Sequence, residues 1–554
     1  MELTAHWRGR DSFTVLDTAW GEGEKFSALE AAWRADPQRC RRLHYVALAP
    51  SALPGSRRIP QPDAGITLDL LNGPLEQALV QLDARLDAIA LHASPGDGTG
   101  FVRPLAKLCV PGTILLPASV SSEQREALSK AGFGFVAQNG SAIFASRKPV
   151  APRAKPAERR AIVVGAGLAG SAACERLCAR GWQVTLIERH GQPASEASGN
   201  LAGIYMPLLS KDDNIPTRLA RAAFLFALDY WNRLDGIEGA RCGVMQLARD
   251  PAHAGVQRAI AARWNYPHDF AQWLESAEAS ALLGAPAPDG AWLFPQGGWA
   301  RPSSVCAAML AACGGKLTAH FGAGTVGIER RGGQWHALDA AGASIAQAPV
   351  MVLANGTGAT ALPQAANLPL WKVRGQVSHL AEGAVPALPF VLCREAYLTP
   401  ASGGIHSAGA TYDLNDPDPA LRQSSHDDNL AKVRSLLGDP SLAQDAPLLG
   451  RVGFRCVGPD RLPLVGAIGD ATPTGRAERL RDLPRHPGLN GLLGYASRGL
   501  IWAPLAAELL AAQLEGEPLP LERTLVQALD PARFMLGNAA KHAIVTTAPQ
   551  AENP

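Results

Sequence analysis

The run Gly165-Ala166-Gly167-Leu168-Ala169-Gly170 follows four apolar residues, Ala161 to Val164, and precedes a helix-forming stretch, Ser171 to Arg180. Bare backbone at Gly165 and Gly167 turns the chain tightly and admits a pyrophosphate, and Gly170 lets the helix pack close to the strand. The free N–H groups and positive dipole end of that helix favour an anion. Gln183 to Arg189 reads as a second strand in which Glu188 stands where a carboxylate binds ribose hydroxyls, with Arg189 beside it. Strand, turn, helix, strand and acid in this order predict dinucleotide binding. A glycine turn alone would read equally well as a structural βαβ connection.

A second glycine turn lies upstream. Asp17, Gly21 and Gly23 follow the strand Phe13 to Thr18 and precede a helix from about Lys25 to Ala35. This arrangement resembles the S-adenosyl-L-methionine site of Rossmann-like methyltransferases. Such a site also needs an acid after the second strand, but Leu43 to Leu48 runs into Ala49-Pro50. His92-Ala93-Ser94-Pro95-Gly96-Asp97-Gly98 stands where methyltransferases hold polar catalytic residues after the fourth strand.

These turns need elements to hold them. At 554 residues, two or three domains are expected. A hydrophobic content of 47% with 18% charged residues describes a folded globular chain. The formal net charge of +2 does not demand a nucleic-acid partner, and it leaves room for a local basic face. Nine cysteines without a CxxC pair suit reduced thiols in the cytoplasm, and Cys174 and Cys178 read as small core residues. No ligand cluster suggests a metal. The N-terminus lacks a signal core and no apolar run is long enough for a bilayer, so no membrane partner is expected.

Residues 1–148 alternate strand and helix, with further strands at Leu86 to Leu91 and Gly112 to Leu116 and a hairpin around Gly140. Residues 149–160 read as an exposed Pro/Ala-rich linker. Residues 161–540 hold the first fingerprint, a mostly helical insert from Pro216 to Leu283, a hairpin around Gly324 to Asp339, and a strand from Pro349 that ends at Ala354-Asn355-Gly356. Residues 541–554 read as a disordered tail. A nucleotide fold whose elements occur near both start and end favours a bound flavin over NAD.

Five stretches together resemble the amino-acid oxidase (DAO) superfamily of flavoproteins. They are the fingerprint, Ala197 to Ser210, Val373 to Ser378, Arg451 to Gly466 and Gly494 to Leu509. The match spans about residues 160–535. It is similar most of all to a bifunctional family that modifies the wobble uridine of tRNA, in which a methyltransferase half precedes the flavoprotein half. Val15 to Thr18, Gly21, Gly23 and Trp33 to Pro37 carry the weaker resemblance of the first half, without that family's acidic strand ends. The implied fold is α/β: a Rossmann-like methyltransferase-type domain, then a glutathione-reductase-like FAD-binding domain with an α+β substrate domain.

The resemblance implies FAD as cofactor, with S-adenosyl-L-methionine for the first half if that half is active. Ser198, Gly199, Ala202 and Gly203 would let backbone approach the isoalloxazine ring, with Tyr205 and Met206 packed nearby. Ala354, Gly356 and Gly494 would line the cofactor, and the helix behind Gly499 and Leu500 would stabilise charge on the reduced ring. The implied substrate is a wobble uridine carrying a carboxymethylaminomethyl group, in effect an N-alkylated glycine. Oxidation beside nitrogen and hydrolysis of the imine release glyoxylate and leave an aminomethyl base, which the first half would methylate. A glycine-type carboxylate favours a bidentate guanidinium. Arg455 is the first candidate, with Arg498 and Arg374 after it. No histidine is nominated as a base, His379 and His406 included, and Cys456 is not expected to tether flavin. The alternative is an oxidase of free glycine- or sarcosine-like amines with a non-catalytic first domain.

Overall fold

The computed structural model describes all residues except 1–2, 93–94, 118–119, 137–139, 146–156, 444–447, 471–476 and 537–554. The expected disordered tail, most of the expected linker, and Ala93 and Ser94 lie outside the described residues. Contacts divide the chain into two compact units, Met1–Ala157 with Glu508–Gln527, and Glu158–Ala507 with Ala528–Pro554. The boundary therefore differs from the expected 1–148 and 161–540. The first unit takes in a segment from near the far end of the chain, because acids there pair with its buried arginines. Arg58 meets Asp69 and Glu508, each at 2.7 Å, and Arg42 meets Glu517 at 2.5 Å.

The first unit is built on an eight-stranded sheet in the order Arg57–Pro60, Ile66–Leu71, Arg42–Leu48, Ser12–Asp17, Leu86–Ala90, Cys109–Leu115, Ala142–Phe144, Phe133–Phe135. Ser12–Asp17 pairs in parallel with Arg42–Leu48 on one side and Leu86–Ala90 on the other. The strand order reverses there, which places a ligand crevice beyond the carboxyl ends of these central strands. The hairpin expected around Gly140 is present as Phe133–Phe135 against Ala142–Phe144. The central strands are buried along almost their whole length, as their β-branched and aliphatic runs require.

In the second unit a six-stranded sheet runs Leu317–His320, Gln183–Ile187, Arg160–Val164, Val350–Leu353, Arg485–Leu493, Leu464–Gly469. Val350–Leu353 pairs in parallel with Arg160–Val164, so the return strand lies directly beside the fingerprint strand. The helix after the glycine turn spans Leu168–Cys178, starting inside the fingerprint, and both Cys174 and Cys178 are buried in it. The hairpin at Gly327–Arg331 and Gln334–Leu338 gains a third strand, Ser344–Ala348.

A nine-stranded sheet carries the expected substrate domain, its longest pairing being Trp371–Ala381 with Leu449–Val457. The insert expected to be mostly helical is mixed. Helices Ile215–Trp231, Pro251–Trp264 and Ser276–Leu283 alternate with short strands, of which Val244–Leu247 joins this sheet beside Val391–Cys393. Its buried side chains pack into the sheet core, which overrides the helix preference of the surrounding Ala- and Leu-rich sequence. No helix of the described residues is long and apolar enough to cross a membrane. Among the described residues no cluster of His, Cys, Asp and Glu could hold a metal.

Candidate active site

The second unit encloses a cavity of about 1390 Å³ that runs along the fingerprint, the loop after Glu188, the return strand and the start of the helix Gly499–Glu515. It exceeds the usual size of a small-ligand pocket and suits a dinucleotide with substrate beside it. Of the residues expected to bind cofactor, Gly165, Gly167, Glu188, Arg189, Ser198, Gly203, Ala354, Gly356, Gly494, Gly499 and Leu500 all line it.

Sequence explains how the turn forms. Gly165 has φ +103°, and a Cβ there would lie 2.7 Å from the Ala354 carbonyl oxygen of the neighbouring strand end. A Cβ on Gly170 would strike the carbonyl oxygen of Gly165. That glycine accordingly serves helix-on-strand packing and does not line the cavity. Glu188 is buried, and its two oxygens accept the backbone amides of Ala166 at 2.7 Å and His190 at 2.9 Å. Each carboxylate oxygen carries two lone pairs, so both still have capacity for ribose hydroxyls. Ser198 Oγ accepts the Leu168 amide at 3.1 Å, tying the loop after the second strand to the first turn of the helix.

Gly199 does not line the cavity. Its missing side chain is the space filled by the Arg451 guanidinium, which reaches over from the strand Leu449–Val457. Arg451 donates to the Ser195 carbonyl at 2.8 Å, the Glu196 carbonyl at 2.5 Å and Asn200 Oδ1 at 3.3 Å, and so fixes the loop that lines the cavity. A Cβ on Gly203 would lie 2.9 Å from Leu500 Cδ1, and one on Gly499 would lie 3.2 Å from Leu168 Cδ1. Two helix N-termini therefore converge on the cavity, the arrangement that stabilises negative charge on a ligand.

Two residues that line this cavity each carry a buried polar atom with no hydrogen-bond partner among the described residues, Asn355 Oδ1 and the Tyr495 hydroxyl. Buried polar atoms are normally satisfied, and a bound polar ligand would satisfy these. Together with the Glu188 carboxylate and the converging helix starts, they make a donor and acceptor set that fits FAD.

Aromatic and cationic side chains also line the cavity. Four of the chain's seven tyrosines line it, Tyr205, Tyr397, Tyr412 and Tyr495. Arg455 lines it too. Its Nη1 donates to the Thr411 carbonyl at 3.0 Å, its guanidinium lies 5.3 Å from the Tyr412 ring centroid, and it occupies the space left by the missing side chain of Gly375. Burial lowers its pKa from the ordinary arginine value, while Tyr397, Tyr412 and Asp413 oppose that shift. Arg498 is half-buried in the same wall, with no hydrogen bond or ion pair from its side chain among the described residues, and burial lowers its pKa as well. A desolvated guanidinium with free donors is a receptor for a carboxylate.

Arg374 is elsewhere. It is fully buried outside the cavity and its donors are spent on the carbonyls of Asp418 and Ala420, the carboxylate of Asp413, and the side chains of Gln376 and Ser425. It holds the 411–425 segment, on which Arg455 rests, and cannot grip substrate. Among the described residues no histidine lines the cavity. His406 Nδ1 is 2.8 Å from the Thr399 carbonyl oxygen, and the pKa of half-buried His379 is lowered by burial, then by His426 and Arg451. Cys456 and Cys393 line the wall as neutral thiols, pushed up by burial to about 11 and about 12. Sequence reasoning missed Arg451, Asn355, Tyr397 and Tyr412. The scarcity of tyrosine was the one signal that could have drawn attention to the last two.

In the first unit the other turn is differently disposed. Asp17 is fully buried. It takes bonds from the Ala19 amide at 3.0 Å, Lys25 Nζ at 3.1 and 3.2 Å, and the Tyr45 hydroxyl at 2.8 Å. Gly21 and Gly23 have φ +61° and +90°, and a Cβ on Gly23 would lie 2.7 Å from the Trp20 ring.

Residues 160–513 match the family model described as FAD dependent oxidoreductase. The chain is 42% identical over 585 residues to the tRNA 5-methylaminomethyl-2-thiouridine biosynthesis bifunctional protein MnmC of Azoarcus sp. (strain BH72), covering 96% of this chain and 92% of that one. It is 41% identical over 600 residues to the protein of the same name from Burkholderia thailandensis, covering 97% and 92%. Among solved structures, iminodiacetate oxidase from Chelativorans sp. BNC1 aligns with a TM-score of 0.54 at 23% identity, covering 65% of this chain and 97% of that one. Glycine oxidase from Geobacillus kaustophilus aligns with a TM-score of 0.53 at 22% identity, covering 66% and 96%. These last two establish a shared fold.

Proposed function

Because the chain belongs to the FAD-dependent oxidoreductases and, within them, to the family of the tRNA 5-methylaminomethyl-2-thiouridine biosynthesis bifunctional protein MnmC, we propose that it oxidises the carboxymethylaminomethyl side chain of a tRNA wobble uridine. The observation that carries this reading is the pairing, in one cavity, of a dinucleotide cradle with a desolvated arginine that makes no ion pair among the described residues.

Gly165, Gly167, Glu188, Arg189, Ser198 and Asn355 hold FAD, which when bound supplies a hydride acceptor for the carbon beside the substrate amine. Arg455 takes the substrate carboxylate, with Arg498 as its partner or substitute. Tyr397 and Tyr412 flank Arg455 and exclude water from the ion pair, which strengthens it. Arg374 positions this group from behind through Asp413 and the 411–425 segment. Arg451 holds the 195–200 loop against the cofactor. A substrate amine that arrives neutral needs no base, in keeping with a cavity that no histidine lines among the described residues. Water then splits the imine on the substrate, giving glyoxylate and the aminomethyl base.

Nucleoside analysis of tRNA from cells lacking the chain tests this. The carboxymethylaminomethyl form accumulates in those cells and in cells given Arg455→Ala, and disappears when the wild-type chain is restored. Unchanged wobble nucleosides, with turnover of free glycine or sarcosine by the purified chain, would point to the small-amine oxidase instead.

A further inference from the structure

We infer that the first unit is a closed module that takes no S-adenosylmethionine, so that this chain's own chemistry ends at the primary amine. The second half of that statement rests on the oxidase reading above; the first does not. S-adenosylmethionine is a sulfonium cation with an amino-acid head and a ribose. A Rossmann-type unit would receive it at the carboxyl ends of Ser12–Asp17 and its neighbours, through an acid with free lone pairs and a glycine turn open to backbone contact.

The acid is taken up and Gly23 is buried, which leaves Gly21 as the exposed glycine of the turn. A carboxylate has about four lone-pair sites, and Asp17 receives four contacts from Ala19, Lys25 (on both oxygens) and Tyr45. Burial and the Asp17 charge hold the Tyr45 phenol far above its ordinary pKa, so it stays a neutral donor. The Lys25 ammonium also contacts the Ala19 carbonyl at 3.0 Å and His92 Nε2 at 3.1 Å, which uses its donors and sets a positive charge where a sulfonium would need a negative one. The Trp20 ring fills the space beside Gly23 and packs on Phe26 and Tyr45.

The crevice itself is stitched across. The Trp20 amide donates to the Leu48 carbonyl at 3.1 Å, and the second strand then leaves through Ala49-Pro50 with no carboxylate. On the other side the Thr18 hydroxyl donates to the His92 carbonyl at 3.0 Å and accepts the His92 amide at 2.7 Å. The acid and Gly23 thus serve the unit's own packing. Any methylation of the amine product must come from a separate methyl-transferring enzyme.

Equilibrium dialysis of the flavin-loaded full chain against radiolabelled S-adenosylmethionine tests the closure, and the same sample is then incubated with tRNA and the labelled donor. Retention at background and no label in tRNA are expected. Saturable retention, or label in the wobble nucleoside, would overturn the inference. Unlabelled tRNA whose carboxymethylaminomethyl base is also unconverted would break the oxidase reading and leave the dialysis result standing on its own. Asp17→Asn separates the two roles of that residue. A packing acid predicts a lower melting temperature of the first unit with dialysis still at background, and unchanged melting would contradict it.

Discussion

Two of the chain's glycine turns each follow a parallel strand, and the acids beside them are occupied differently. At Gly165–Gly170 the nearby acid, Glu188, is held by two backbone amides that leave each oxygen a lone pair, beside a cavity of about 1390 Å³. At Gly21 and Gly23 the acid, Asp17, is saturated by Lys25, Tyr45 and Ala19, and Trp20 fills the neighbouring space. Glycines permit a close approach of a ligand, but the occupancy of the acid's lone pairs decides whether a ligand is what approaches.

The contrast is broken most severely at the glycines. Gly170→Val drives a side chain into the Gly165 carbonyl, and the expected result is a chain purified without flavin, read from visible absorbance per protein. Gly21→Ala meets only the Glu24 carboxylate at 3.3 Å and pays for its positive φ with about 1 kcal/mol, so flavin content is unchanged. Equal flavin loss in both variants would erase the distinction. Next in size, Arg455→Ala removes a charge-assisted pair to substrate and lowers kcat/KM on modified tRNA about 100-fold, with Arg455→Lys recovering part of it. Glu188→Gln, which keeps the shape and loses the charge, weakens FAD by about 1.5–3 kcal/mol in a flavin titration. Lys25→Met in the closed turn leaves Asp17 short of a partner and costs about 1–3 kcal/mol of stability, seen as a lower melting temperature with an unaltered flavin spectrum.

The smallest effect expected is one of pH. Burial lowers the His379 pKa in the folded chain, so between the folded and unfolded values the unfolded chain binds more protons. Stability of the second unit therefore falls as pH drops below about 6.5 and levels off below the folded value. Melting curves of His379→Asn should show a shallower decline over that window. An identical decline would remove the histidine from the account.

Local pattern was enough to read the flavin turn, because strand, glycines, helix and acid follow one another within thirty residues and each obeys a short-range rule. Arg455 was legible only as part of a resemblance. Arg374 sits in an equally suggestive stretch, yet an arginine reads the same in sequence whether its donors are free or spent on Asp413, Asp418 and Ala420. Gly199 was legible as a small residue in a loop, but its reason for being small is Arg451, some 250 positions away. The strands inside the 216–283 insert are too short to show a two-residue period against an Ala- and Leu-rich background. The segment Glu508–Gln527 joins the first unit through pairs such as Arg58 with Glu508, which no pattern along the chain reveals.

Anaerobic mixing of the flavin-loaded chain with tRNA bearing the carboxymethylaminomethyl wobble base tests the central claim most directly, with the visible band of oxidised flavin as readout. The band should vanish with the wild-type chain, persist with Arg455→Ala, and persist in both when free glycine replaces the tRNA. Bleaching by free glycine or sarcosine, with the tRNA inert, would contradict the account.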